Sequence, residues 1–129
     1  MSIHNNHLKT GREGEERARR HLIGLEYKIL ATNYREGFDE IDIIARDPDG
    51  TLVFCEVKTV IKELLNLSEE FMPEDHFSGK KLYKIERAIQ KITAKRPDLV
   101  LENRGWRIDL IAITLAKWNI LILNHYKNI

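Results

Sequence analysis

Two apolar stretches of this chain carry ionised side chains at positions that a strand would bury. The first reads Glu40-Ile41-Asp42-Ile43-Ile44-Ala45 and the second Leu52-Val53-Phe54-Cys55-Glu56-Val57-Lys58. Their β-branched and aromatic residues suit a pleated, half-buried surface. Asp47-Pro48-Asp49-Gly50 between them is ordinary turn chemistry. A charge inside such a run is costly to bury unless something pairs it. Acids that converge with a lysine hold a metal ion or form a buried salt-bridge cluster, and the residues alone leave both open.

The turn fixes which residues meet. With Pro48-Asp49-Gly50 as a three-residue hairpin loop, Asp47 faces Thr51, Asp42 faces Glu56 and Glu40 faces Lys58. Alternation then puts Glu40, Asp42, Glu56 and Lys58 on one face. Carboxylates directly opposite each other destabilise a sheet, and a bound cation would turn that repulsion into coordination. A loop of two or four residues would send Asp42 and Glu56 to opposite faces.

The remaining segments predict a mixed sheet flanked by helices, in the order α-β-β-β-α-β-β. Thr10 is placed to cap a helix from about Gly11 to Leu25, with Leu22 and Leu25 at helical spacing and Glu13, Glu15 and Glu16 near its positive end. Tyr27 to Asn33 reads as a strand ahead of the two acid-bearing ones. Val60 to Ser78 is a long acidic segment, expected to hold a short helix and a mobile loop. Ser78 is placed to cap a helix from Gly79 to Lys95, striped by Leu82, Ile85, Ile89 and Ile92 and ended by Pro97. Two strands follow, Trp106 to Thr114 and Trp118 to Asn124, joined by a turn through Leu115-Ala116-Lys117. The expected organisation is a flexible tail over residues 1–9 and a single domain over 10–129.

Composition narrows the function classes. A chain of 129 residues with 43% hydrophobic and 32% charged residues is a globular domain able to bury a core. No apolar run approaches the roughly 20 residues that cross a membrane, and Met1 to Lys9 lacks a secretory h-region. The single cysteine, Cys55, excludes an intrachain disulfide and fits a cytoplasmic location; its strand position marks a small core residue. Net charge is only +1, so nucleic-acid affinity would have to come from local clusters such as Lys80, Lys81 and Lys84. The histidines show no zinc-ligand spacing with Cys55.

Hydrolysis of a phosphodiester needs an activated water, compensation of phosphate charge and help for the leaving oxygen, and a divalent cation can supply all three. Magnesium takes oxygen ligands and is often held by one or two carboxylates. Asp42 and Glu56 suit that role, the Val57 carbonyl beside Glu56 is placed to add a metal ligand, and Lys58 is placed to orient a water or steady negative charge. Asp42, thirteen intervening residues and Glu56-Val57-Lys58 resemble the signature of the PD-(D/E)xK nucleases. Gly11-Arg12-Glu13-Gly14-Glu15, Asn33-Tyr34-Arg35, Glu40 to Ala45 and Val53 to Thr59 arrive in an order that resembles the YraN family of small bacterial proteins, similar in fold to archaeal-type Holliday junction resolvases. Lys80 to Ala88 and Arg107 to Ile113 fit more loosely.

The resemblance implies a restriction-endonuclease-like core, a central mixed β-sheet with helices on both sides. It also implies that Glu15, on the first helix, joins the metal site with Asp42 and Glu56. Two departures stand out: Val60 occupies a position that is usually basic, and Ile61 to His76 is longer and more acidic than the family pattern. The leading expectation is a magnesium- or manganese-dependent endonuclease acting on branched DNA, with Asp42, Glu56, Lys58 and Glu15 as its site and a homodimer pairing through the last strands. Two alternatives stay open. One is a non-catalytic nucleic-acid or protein adaptor, with Lys58 paired to Glu40 or Glu56. The other is a structural dimer partner using the acidic Glu63 to Asp75 segment.

Overall fold

A computed structural model describes residues 3–62, 79–116 and 121–129, with the side chains of 11–61, 79–115 and 122–129. Its elements are α1 (Ile3–Gly24), β1 (Lys28–Glu36), β2 (Asp39–Arg46), β3 (Leu52–Lys62), α2 (Gly79–Lys95), a 3-10 turn (Pro97–Leu99), β4 (Trp106–Ala116) and β5 (Leu121–Tyr126). The five strands form one sheet in chain order. Neighbours are antiparallel except β3 and β4, which run parallel. A parallel pair needs a long crossover, and α2 lies within it. This is the expected α-β-β-β-α-β-β order, with a central mixed sheet between two helices.

The helices take opposite faces. Ala18 and Leu22 of α1 bury against Ile43, Ala45, Val53, Cys55, Ile111 and Ile113. Ile85, Ala88, Ile89 and Ile92 of α2 bury against Ile44, Leu52, Phe54 and Ile108. The stripe read on α2 is therefore its core face, and its bounds are those expected. On α1 the reading needs correction. The helix begins at Ile3, so Thr10 lies inside it and not at its cap, and residues expected to form a tail are helical. Leu25 falls just beyond Gly24 and is exposed.

Small residues beside Leu22 set how closely α1 approaches the sheet. Gly14, Ala18 and Leu22 repeat every fourth position and are all buried. A Cβ on Gly14 would meet the Thr59 hydroxyl at 1.7 Å, so only glycine lets the helix lie this close to β3.

The hairpin register is the one the turn predicts. Asp47 N–H donates to the Thr51 carbonyl (3.0 Å) and Gly50 N–H to the Asp47 carbonyl (2.8 Å). Gly50 adopts a φ of 97°, the left-handed residue of a three-residue loop. β1 runs on to Glu36, beyond the expected end at Asn33, and β5 is described over Leu121 to Tyr126, ending beyond the expected Asn124. Most of the acidic segment (63–78, including the Ser78 cap), the turn residue Lys117 and the expected strand start at Trp118 lie outside the described residues.

Away from the β2–β3 hairpin's open end, a buried polar network cross-links the fold. Asp109, fully buried on β4, accepts from Arg107 Nε (2.9 Å) and from the Asn128 N–H (3.0 Å), and bonds His125 Nε2 (2.8 Å). Arg107 also reaches Asp47 (2.7 Å) and the Tyr27 hydroxyl (2.9 Å), and His125 Nδ1 meets His21 Nε2 at 3.1 Å. Burial raises the Asp109 carboxyl, but the hydrogen bonds from His125, Arg107 and Asn128 outweigh it and hold the group below the usual range.

Candidate active site

The β2–β3 ladder ends at Ile43 and Cys55, while each strand runs on with its other partner. β2 stays paired with β1 as far as Asp39, while β3 follows β4 out to Lys62. Asp42 and Glu56 are the next residues on either side of that fork. A backbone N–H left without a ladder partner must find another acceptor, and the Val57 N–H donates to Asp42 Oδ2 at 2.8 Å. The hydrogen-bonding role of the lost strand partner passes to a carboxylate.

The inward alternation of β2 also slips at this point. Ile41 and Ile44 pack on the α2 side, whereas Ile43 and Ala45 pack on the α1 side. Asp42 consequently lines clefts on both sides of the sheet. One, of about 310 Å³, includes Glu40, Glu56, Lys81, Lys84 and Phe38. The other, of about 200 Å³, includes Glu15, Asn33, Arg12 and Arg19.

The electrostatics follow from this crowding. Burial first, then the charges of Glu56 and Glu15, push the Asp42 carboxyl up to about 7, against the lowering effect of the Val57 N–H. Glu15 is raised as well, chiefly by burial; the Asn33 side chain opposes the shift, and the charges of Glu40 and Glu56 add to it. Lys81 of α2 places its ammonium 2.6 Å from Glu56 Oε1.

Glu15, Asp42 and Glu56 are thus brought together. Glu40 lines the same cleft but faces Arg35 of β1, not Lys58, because the ladder that would have paired Glu40 with Lys58 has already ended. Lys58 is half-buried on β3 beside Ala112, and among the described residues it makes no ion pair with the carboxylates. The cation on Glu56 comes instead from Lys81. Lys81 and Lys84, expected as phosphate contacts on a helix face, belong to the cleft wall, whereas Lys80 is exposed and not part of it. The Val57 N–H is the group that meets Asp42.

Asn33, Arg12 and Phe38 were not singled out by the sequence as site residues. Nothing in their residue types marks them, since their places depend on which loop and helix the sheet brings alongside.

Hard oxygen donors under like-charge pressure are what a divalent cation relieves, so the donor chemistry of Asp42 and Glu56 fits magnesium or manganese. Among the described residues no group of three or more acids, histidines or cysteines is arranged to hold a metal ion. The fit is therefore to a two-carboxylate site whose remaining positions belong to water and phosphate. Cys55, buried beside this point, has its thiol pushed up by burial and is no ligand.

Comparison with known proteins places the chain among relatives of undefined activity. The model of a family described as "Uncharacterised protein family UPF0102" matches residues 14–113. A UPF0102 protein of Kosmotoga olearia is 43% identical over 122 residues, covering 95% of this chain and 93% of the relative. One from Pseudothermotoga lettingae is 39% identical over 103 residues, covering 80% and 86%. One from Oleidesulfovibrio alaskensis is 53% identical over 108 residues, covering 84% and 49%.

Among solved structures, the EndoMS–dsDNA2 complex overlaps 64% of this chain and 26% of its own, with a TM-score of 0.36 and 17% identity. Pyrococcus furiosus SfsA in complex with Ca2+ overlaps 88% and 62%, with a TM-score of 0.37 and 12% identity. Overlaps that low assign no activity. No helix among the described residues is long and apolar enough to cross a membrane.

Proposed function

This chain belongs to the uncharacterised protein family UPF0102, the YraN family, and from its site we propose a magnesium- or manganese-dependent endonuclease that hydrolyses phosphodiester bonds in branched or otherwise non-standard DNA. One observation carries the reading: the Asp42 carboxyl, pushed up to about 7 by burial and by Glu56 and Glu15, sits in a strand fork beside lysines of α2. An acid perturbed by burial and by specific charge partners in a cleft is a candidate for functional chemistry. The cation, when bound, supplies an activated water and compensates charge on the attacked phosphate.

The chain's own groups do the rest. Asp42 and Glu56 hold the cation, and the Val57 N–H fixes the Asp42 carboxylate. Glu15, its carboxyl raised by burial, holds a proton near the reacting centre more readily than an exposed acid. Lys81 and Lys84 face the phosphate. Lys58, next along the face from Glu56, orients the attacking water. A homodimer would supply the two cuts that a junction requires.

A second reading has its own support. The 2.6 Å contact of Lys81 with Glu56 already satisfies that carboxylate, as in a scaffold kept for binding alone.

A cleavage panel separates the two. Linear duplex, single strand, flap and four-way junction are incubated with magnesium, manganese or chelator, beside Asp42→Ala and Lys58→Ala. The expected outcome is metal-dependent cutting, reduced by at least about a hundredfold in Asp42→Ala, as for loss of a main electrostatic group. Cutting untouched in both variants would sink the assignment. Tight binding without turnover would favour the scaffold.

A further inference from the structure

Phe38 stands at the tip of the β1–β2 hairpin with 105% relative exposure, and it lines the same cleft as Asp42 and Glu56. A single exposed apolar residue is ordinary. What sets this one apart is how firmly its turn is held. Glu36 and Asp39 pair across the hairpin on either side of Gly37-Phe38, and both are buried carboxylates. Glu36 is ion-paired to Lys95, and Asp39 to Arg87 at 2.9 Å, so α2 anchors the turn on both sides. Gly37, at φ 62°, takes the left-handed position that a two-residue hairpin of this kind needs. Two ion pairs, each with a buried carboxylate, thus brace a turn whose tip side chain is fully exposed.

The surroundings define what would pack there. α2 carries six lysines and arginines against one acid, Glu86. Lys84, Arg87, Lys91 and Lys95 recur at helical spacing along one stripe, of which Arg87 and Lys95 hold the turn's carboxylates and Lys84 and Lys91 are exposed. Lys84 shares the cleft with Phe38, and the Lys91 ammonium lies 3.9 Å from where a side chain on Gly37 would begin. An exposed ring beside a row of cations matches the way proteins hold an unpaired nucleic-acid strand, with stacking for a base and charges for its backbone. An apolar protein would give no reason for the cation row, and an anionic membrane, which would use the row, gives none for a ring that shares its cleft with Asp42 and Glu56.

We infer that Phe38 is a stacking platform for an unpaired base next to the scissile phosphate, so that the substrate is DNA with a single-stranded nucleotide at the cleft. This rests on the nuclease reading for the word scissile, and on geometry alone for the stacking.

The test compares two oligonucleotides of shared sequence carrying 2-aminopurine, one with the probe base unpaired in an overhang and one fully paired. Calcium replaces magnesium, so that binding is read without turnover. In Phe38→Ala, affinity for the overhang should fall roughly five- to a hundredfold, with the paired duplex changed by less than about twofold, the range for losing one base–aromatic stack. Binding by the wild type should quench the unpaired probe, Phe38→Ala should abolish the quenching, and Phe38→Trp should restore it. Equal overhang binding by wild type and Phe38→Ala, or emission unchanged on wild-type binding, overturns the inference. The two readings fail separately. Quenching that depends on Phe38 in a protein that never cuts refutes the nuclease and leaves the platform, while metal-dependent cutting with no Phe38 effect does the reverse.

Discussion

At the scale of single residues, Asp42 concentrates the chemistry. Its carboxyl is raised from 3.8 to about 7, chiefly by burial and then by Glu56, so the folded chain retains a proton that the unfolded chain has already released in that window. The group's contribution to stability is complete below the unfolded value and is lost as pH rises through the folded one. In chelator, thermal unfolding followed by circular dichroism should therefore show stability declining from pH 5 to pH 8, by on the order of 2 kcal/mol. Asp42→Asn removes that titration and should flatten the profile. Magnesium should restore stability at pH 8 in the wild type and not in Asp42→Asn, because a ligand stabilises only the state that binds it. The sequence made Asp42 and Glu56 legible, since an acid in a β-branched run is anomalous wherever it falls. Lys81 was not legible as their partner: a lysine on an amphipathic helix carries no sign of which side chain it will meet.

Among the elements, α1 decides whether the site has a third acid. Glu15 reaches the fork only because the preceding residue, Gly14, lets the helix press against Thr59 of β3. A methyl group on Gly14 would overlap the Thr59 side chain, and relief requires the helix to back away. Gly14→Ala should cost about 1–3 kcal/mol in urea unfolding, the range for overpacking a tight contact. Thr59→Ala should recover part of that loss in the double variant, and little recovery would place the strain elsewhere. The sequence revealed α2 from end to end, because its leucine and isoleucine stripe has the helical period. On α1 it identified Leu22 but not Gly14 and Ala18, because small residues leave almost no hydrophobic signal, and it placed the exposed Leu25 on the same face.

Across the whole molecule, Asp109 ties together parts of the chain that are far apart in sequence. Through Arg107 and His125 it joins the end of α1, the β2–β3 turn, β4, β5 and the C-terminal Asn128. Removing one partner leaves a buried guanidinium short of its counter-charge, which typically costs about 3–5 kcal/mol. Asp109→Ala should lose that much in equilibrium unfolding, with cleavage per folded molecule unchanged, since the network lies apart from the fork. A loss of cleavage without loss of stability would show that the network belongs to the site. Arg107 and Asp109 drew attention only through a loose family resemblance, because Arg107, Asp109 and His125 become partners only when β4 and β5 are laid side by side.

The sequence by itself determined the strand-turn-strand register, the second helix, the element order and the two carboxylates at the centre. Those depend on neighbours in the chain: turn geometry over a few residues, side-chain alternation along a strand, helical period along a helix. Only the tertiary structure decided that the β2–β3 ladder stops at Ile43, that Lys81 rather than Lys58 meets Glu56, and that Phe38 overlooks the cleft from a braced turn. Each of these depends on partners distant in sequence. Beyond Ile43 and Cys55, β2 stays with β1 and β3 with β4 as the two part, and the opening they leave is where the acids, the lysines and the aromatic ring are brought together.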